Sequence, residues 1–155
     1  MEEAKKIPER GELPEETKWA LEDLYATTDV WLSELESLKE DERTLTSFEG
    51  RLADSGKTLY DFLHAVEDTN VKADRLGNYC MRKVDEDTRN PESLSLQGTF
   101  MSTVVALNAA CSFDTPEIMA ISDETLEGFY RDCPALERYR RYLTSLRRRK
   151  PHTLS

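Results

Sequence analysis

NPESLSLQGTFMSTVVALNAAC, residues 90–111, is the stretch that decides the fold. Asn90 is suited to cap the first free N–H groups of a helix through its side-chain oxygen. Pro91 follows at the first helical position, where a missing N–H costs nothing and the fixed φ is already helical. From Met101 to Cys111 the residues are apolar or small nearly all round. A helix of that kind is expected to be the buried central element, with other helices around it.

Working outward, the chain reads as helical on both sides. An extended, charged N-terminal arm ends in Trp19-Ala20-Leu21-Glu22-Asp23-Leu24-Tyr25, a short apolar anchor. Thr28 is expected to cap a helix carrying Trp31, Leu35, Leu38 and Leu45 at spacings of four, three and seven, closed by Phe48-Glu49-Gly50. Ser55 caps the next, with Leu59, Phe62, Leu63 and Val66 as its stripe, and a further helix runs through Val71, Leu76, Tyr79, Cys80 and Val84. Beyond residue 111, Thr115-Pro116-Glu117 repeats the cap-proline signature for a short helix. Ser122, Asp123 and Glu124 start another that buries Leu126, Phe129 and Tyr130, and Cys133-Pro134 restarts the chain as a final helix with Leu136, Tyr139, Leu143 and Leu146 on one face. Short loops favour antiparallel neighbours, so the expected architecture is all-α, an up-and-down multi-helix bundle. Its parts are an arm and anchor at 1–27, a helical lobe at 28–150 and a joint at 151–155.

At 155 residues one domain is the default. The composition, 38% hydrophobic and 34% charged, supports a core beneath a wet surface. No uninterrupted apolar run approaches the roughly 20 residues of a membrane span, and the charged start Met1-Glu2-Glu3-Ala4-Lys5-Lys6 lacks a signal-peptide core. Cys80, Cys111 and Cys133 are an odd number without CxxC spacing, read as small buried hydrophobes in a reducing compartment. The expected location is cytoplasmic, with no membrane partner.

Charge is uneven. Residues 1–137 carry a net −17 and residues 138–155 a net +7. The acidic portion disfavours nucleic acid, since phosphate contacts need a basic face. The basic patch, Arg138, Arg140, Arg141, Arg147, Arg148, Arg149 and Lys150, reads as helix-end cations docked on the acidic rest of the chain. An RNA or membrane contact is the sharper alternative.

Chemistry is marked mainly by what is missing. The two histidines, His64 and His152, read as a helix-surface residue and a tail residue, and no HExxH places two histidines on one helical face to share zinc. Asp85-Glu86-Asp87 lacks the alternating oxygen donors and central glycine of a calcium loop, and reads as a solvated turn. Gly77, Gly98 and Gly128 stand singly within helices and are expected to mark close helix packing. Trp19, Tyr25, Trp31, Phe100 and Phe129 are expected in the core. No catalytic, cofactor-binding or metal-ligating residue is assigned.

Five segments then form a co-linear pattern: WALEDLY at 19–25, FEGRLADSGKTL at 48–59, DEDTRNP at 85–91, SFDTPEIMAI at 112–121 and PALERYRRYLTSLRRRKPHTLS at 134–155. Together they resemble the N-terminal region of oligoendopeptidase F, a zinc metallopeptidase related to the thimet oligopeptidases. The resemblance covers nearly the whole chain, with KVDEDT at 83–88 the loosest stretch. It implies a two-lobed helical enzyme around a narrow channel, with zinc held downstream by HExxH and a further glutamate. None of those residues maps onto this chain. The implied role here is a lobe that shapes and gates the channel, with the catalytic lobe of the same enzyme and short peptides as partners, and a possible dimer of the isolated lobe. Pro151 followed by the unused helix caps Thr153 or Ser155 fits a joint towards that missing lobe. Two other classes fit the same helices: a stand-alone helical module for protein–protein interaction, and a structural bundle without a partner.

Overall fold

Side-chain caps set most of the helix starts. In the computed structural model, which describes residues 8 and 10–148, α1 (Thr28–Thr46) begins where Thr27 Oγ1 accepts the Val30 N–H at 3.3 Å. The cap is thus one residue ahead of the expected Thr28. α2 (Gly56–Glu86) starts on Ser55, whose Oγ accepts the Thr58 N–H at 3.0 Å. α3 (Pro91–Ala110) starts on Asn90, which accepts from Glu92 and Ser93. α4 (Asp114–Ala120) has no side-chain cap, and Thr115, expected in that role, is its second residue. α5 (Asp123–Asp132) starts on Ser122, which accepts the Thr125 N–H at 3.0 Å. A 3-10 turn, Pro134–Tyr139, then leads into α6 (Arg140–Arg147), so the single final helix expected after Cys133 is divided. Three further 3-10 turns, at Arg10–Glu12, Glu15–Thr17 and Leu21–Asp23, build the arm. Among the described residues there is no strand, and the architecture is an all-α bundle.

Two expectations about the centre are corrected. The two helices read across Leu59–Val84 are one helix of 31 residues. Nothing in Glu67-Asp68-Thr69-Asn70 can stop it, since no proline or glycine interrupts the ladder there and Thr69 is buried. That continuous α2, about 46 Å long at 1.5 Å per residue, is the central element. It packs against α1, α3, α5 and the Pro134–Tyr139 turn. α3 lies outside it, burying only Ser93, Phe100 and Leu107. Leu94, Met101 and Val105 are 44%, 47% and 63% exposed. An all-round apolar composition says how much a helix can bury, not how many neighbours the fold supplies. By length and composition alone, Pro91–Ala120 is also apolar enough to cross a membrane, which counting uninterrupted runs had missed.

The core has two parts, both threaded by α2. One gathers Leu21, Tyr25, Trp31, Leu35, Leu38, Leu76, Tyr79, Cys80 and Phe100. Within it, Trp31 Nε1 donates to the Leu76 carbonyl at 2.9 Å, so the one polar atom of a fully buried indole is satisfied. The other gathers Leu59, Phe62, Leu63, Leu107, Ile118, Leu126, Phe129, Leu136 and Leu143 with their neighbours. Trp19 is the aromatic that departs from its expected place. It is 58% exposed, lying over the Arg82 guanidinium at 5.2 Å, because the arm approaches α2 from its charged side. The glycines also divide. A Cβ on Gly77 would stand 2.9 Å from Phe100 Cζ, the close packing expected, whereas Gly98 faces open space and Gly128 has only an ordinary 3.7 Å neighbour. Gly50, in the turn after α1, takes a φ of 75° that favours glycine. The expected joint at 151–155, its caps Thr153 and Ser155, His152, Arg149 and Lys150 lie outside the described residues.

Candidate functional site

The titratable groups singled out by the sequence are dispersed or already paired. His64 sits on the surface of α2 with Nδ1 3.0 Å from Asp68 Oδ2, one helical turn away. Asp85 meets Arg82 at 2.9 Å, and Glu86 meets Arg10 at 2.5 Å. Asp87 Oδ1 accepts the Arg89 N–H at 2.9 Å, and that backbone bond, followed by the Arg89 side chain, holds its carboxyl below the usual range. The three consecutive carboxylates thus serve three different cations and do not converge. Burial pushes the Cys80 thiol up to about 11 and raises that of Cys111, which keeps both protonated and unreactive near neutrality. All three cysteines are free. No group of three His, Cys, Asp or Glu side chains among the described residues is placed to hold a metal ion.

The basic C-terminal segment is largely engaged. Glu67, at the middle of α2, receives Arg138 Nη2 at 2.9 Å on one carboxylate oxygen and the Tyr139 hydroxyl at 2.7 Å on the other. Arg140 bridges Glu127 and Glu137, each at 2.7 Å, while its guanidinium lies 3.8 Å from the centre of the Tyr130 ring. Arg147 donates to the Ile118 and Ile121 carbonyls and pairs with Asp123, closing α6 over the junction of α4 and α5. On the same end of the bundle, the Glu117 carboxylate accepts the Gly50 and Leu52 N–H groups at 2.6 and 3.2 Å. Glu67 and Glu117 escaped the sequence reading because their partners are more than 60 residues away. Arg141 and Arg148 have no carboxylate partner among the described residues.

Two other surface features stand out. An open cleft of about 380 Å³ lies between the arm and α2, lined by Arg10, Lys18, Trp19, Tyr79, Lys83 and Glu86. Arg10 is already paired with Glu86, and Lys18 with Glu15 at 2.5 Å, while the Lys83 ammonium lies 5.6 Å from the centre of the Tyr79 ring. The second feature is the outer half of α3, where Leu94, Gly98, Met101 and Val105 face solvent without a charged neighbour on that half of the helix. Neither resembles a catalytic centre. The arrangement is that of a helical body tied together by ion pairs and hydrogen bonds between distant residues.

Comparison with known proteins gives the frame for this body. A family model described as Oligopeptidase F matches residues 117–155. Oligopeptidase PepF of Bacillus subtilis (strain 168) is 28% identical over 152 residues, which is 98% of this chain and 23% of that protein. Group B oligopeptidase PepB of Streptococcus agalactiae is 25% identical over 94% of this chain and 24% of its own length. The chain therefore spans about a quarter of the relatives it matches. The solved structure of oligoendopeptidase-F from Enterococcus faecium superposes with a TM-score of 0.72 at 22% identity, over 83% of this chain and 26% of that one. A Chlamydophila abortus structure superposes with a TM-score of 0.83 at 20% identity, over 97% and 25% respectively. The chain is similar, across nearly all its length, to the N-terminal region of oligoendopeptidase F proteins.

Proposed function

We propose that this chain is the N-terminal helical lobe of a cytoplasmic zinc-dependent oligoendopeptidase, a wall that shapes and gates a channel for short peptides. The observation that carries the reading is co-linear similarity over 98% of the chain to only 23% of a longer oligopeptidase. Catalysis belongs to the remainder. Zinc, when bound in such an enzyme, polarises a water and the scissile carbonyl. The described residues do not fit that group, because His64 is engaged with Asp68 on an open helix surface and no third donor stands nearby. No hydrolytic step is therefore routed through this chain.

What these residues contribute is rigidity. Glu67 staples the Pro134–Tyr139 turn to the middle of α2, Glu117 ties α4 to the turn after α1, and Arg147 locks α6 over α4 and α5. A wall braced in this way keeps its shape as a channel opens and closes about a hinge elsewhere. The purified 155-residue chain, supplied with zinc, is expected to leave a quenched fluorogenic peptide uncut; zinc-dependent cleavage overturns the assignment of catalysis elsewhere. Reading the coding frame past Ser155 tests the lobe itself. Several hundred further codons containing HExxH support it, and an immediate native stop refutes it. The exposed apolar face of α3 fits this reading and a stand-alone helical interaction module alike.

A further inference from the structure

We propose that residues 10–19 form a strap that opens and closes as a unit over the C-terminal end of α2, latched by the pair Arg10–Glu86. The arm is held in two different ways along its length. Leu21 and Tyr25 are buried in one core with Trp31 and Tyr79, so the anchor belongs to the body of the protein. Ahead of them, every residue from Gly11 to Thr17 is exposed, and the 3-10 turns at Arg10–Glu12 and Glu15–Thr17 bury no side chain. Opening such a segment forfeits little hydrophobic stabilisation, so polar contacts decide whether it stays shut.

Two of those contacts meet on one side chain. Arg10 Nη2 lies 2.5 Å from Glu86 Oε1 and donates to the Trp19 carbonyl at 3.4 Å. The same guanidinium therefore ties the beginning of the strap to its end, and both to the last residue of α2. Trp19 adds a second hold by lying over the Arg82 guanidinium. Around the latch the strap lies over space. Three hollows of about 380, 190 and 230 Å³ are each lined by both Arg10 and Glu86. One reaches Tyr79 and Lys83, one Arg82 and Asp85, and one Asn90 and Leu96 at the start of α3. Breaking the pair joins them into a single groove along the end of α2. The pair is also placed to break without harm to the helix. Glu86 ends α2, where a carboxylate faces the negative end of the helix dipole, so the helix itself gains nothing from that charge. The Glu86 side chain is 17% exposed and that of Arg10 35%, which leaves the pair within reach of salt. The strap depends on contacts within this chain and does not rest on the lobe reading.

The experiment is cleavage after Glu12 by a glutamate-specific protease, followed by mass spectrometry. It is run on the purified chain and on a free peptide of residues 8–19, which corrects for the protease's own response to salt. A protease needs several residues in extended form, so the corrected rate reports the open fraction. Raising sodium chloride from about 0.01 M to about 1 M shortens the screening length from about 30 Å to about 3 Å. The corrected rate should rise about two- to fivefold, the population change that an ion pair of this exposure supplies. Glu86→Gln and Arg10→Gln should each give the fast rate already at low salt, abolish the salt response and keep Tm within about 2 °C of the parent. A parent rate that does not respond to salt overturns the proposal, as does a rate that neither substitution changes. A parent cleaved as fast as the free peptide at low salt overturns it too, since the strap would then never close. So does a gain in rate matched by a fall in Tm, since the whole chain would then be opening.

Discussion

Three glycines in helices of this protein should respond in three ways to the same added methyl group. Alanine in a helix interior is favoured over glycine by about 0.8–1.0 kcal/mol, mostly through the unfolded chain. At Gly98 nothing opposes that gain, because the new Cβ meets open space. Gly98→Ala should stabilise the monomer by about 1 kcal/mol, or roughly 2–4 °C in Tm for a chain of this size. At Gly77 the Cβ would stand 2.9 Å from Phe100 Cζ and 3.1 Å from Cε1, contacts with the far end of a side chain rather than with backbone, although the ring is only 8% exposed. The propensity gain there is consumed by ring displacement, and stability should stay within about 1 kcal/mol of the parent. At Gly56 the Cβ would lie 2.6 Å from the Phe129 carbonyl oxygen and 3.0 Å from its Cα. That obstacle is backbone at the end of α5, which cannot turn aside, and Gly56 opens α2, where propensity matters least. Gly56→Ala should cost about 1–3 kcal/mol by overpacking. Urea denaturation followed by circular dichroism should give the order Gly98→Ala, then parent with Gly77→Ala, then Gly56→Ala. A Gly56→Ala variant as stable as the parent would refute the claim that α2 and α5 meet backbone to backbone, and with it the packing of the second core.

The polar staples yield two further tests. Glu117→Ala should destabilise by about 1.5–3 kcal/mol, the range for hydrogen bonds to a charged acceptor, and should speed hydrogen exchange at Gly50 and Leu52 selectively; unchanged exchange at both amides would mean that the carboxylate does not hold that turn. The phenols supply a pH dependence. Tyr139 is pushed up to about 12, first by burial and then by the hydrogen bond it donates to Glu67, and Tyr25 to about 12, first by burial and then by the Glu34 carboxylate. A folded-state pKa above the unfolded value of about 10 makes a contribution that is complete below pH 10 and is lost as pH rises through about 12. Urea midpoints should therefore fall across that window together with the rise in tyrosinate absorbance, and less steeply in Tyr139→Phe; a midpoint flat to pH 12 refutes it.

The features legible in the sequence are those whose causes are local. Ser55, Asn90 and Ser122 announce helix starts because a cap bonds groups two or three residues away. The Trp31–Leu35–Leu38–Leu45 stripe is visible because burial repeats with the helical turn. Features with distant causes were not visible in the same way. Glu67 looks like any surface carboxylate until Arg138 and Tyr139 arrive from 71 and 72 residues away. Trp19 looks like core until the arm is seen to cross α2 on the side of Arg82. The candidate functional surface followed the same division. Five co-linear segments carried the resemblance to oligoendopeptidase F, while local motif reading assigned no catalytic side chain.

The misplacement of α3 is more informative than these, because the composition was read correctly and the assignment still failed. The 20-residue helix carries one charge in a protein one-third charged, so its composition would allow burial on more than one side. Burial against α2 satisfies the Phe100 line alone. Leu94, Met101 and Val105 stay 44%, 47% and 63% exposed, so composition sets what a helix can bury and the neighbours the fold supplies set what it does bury.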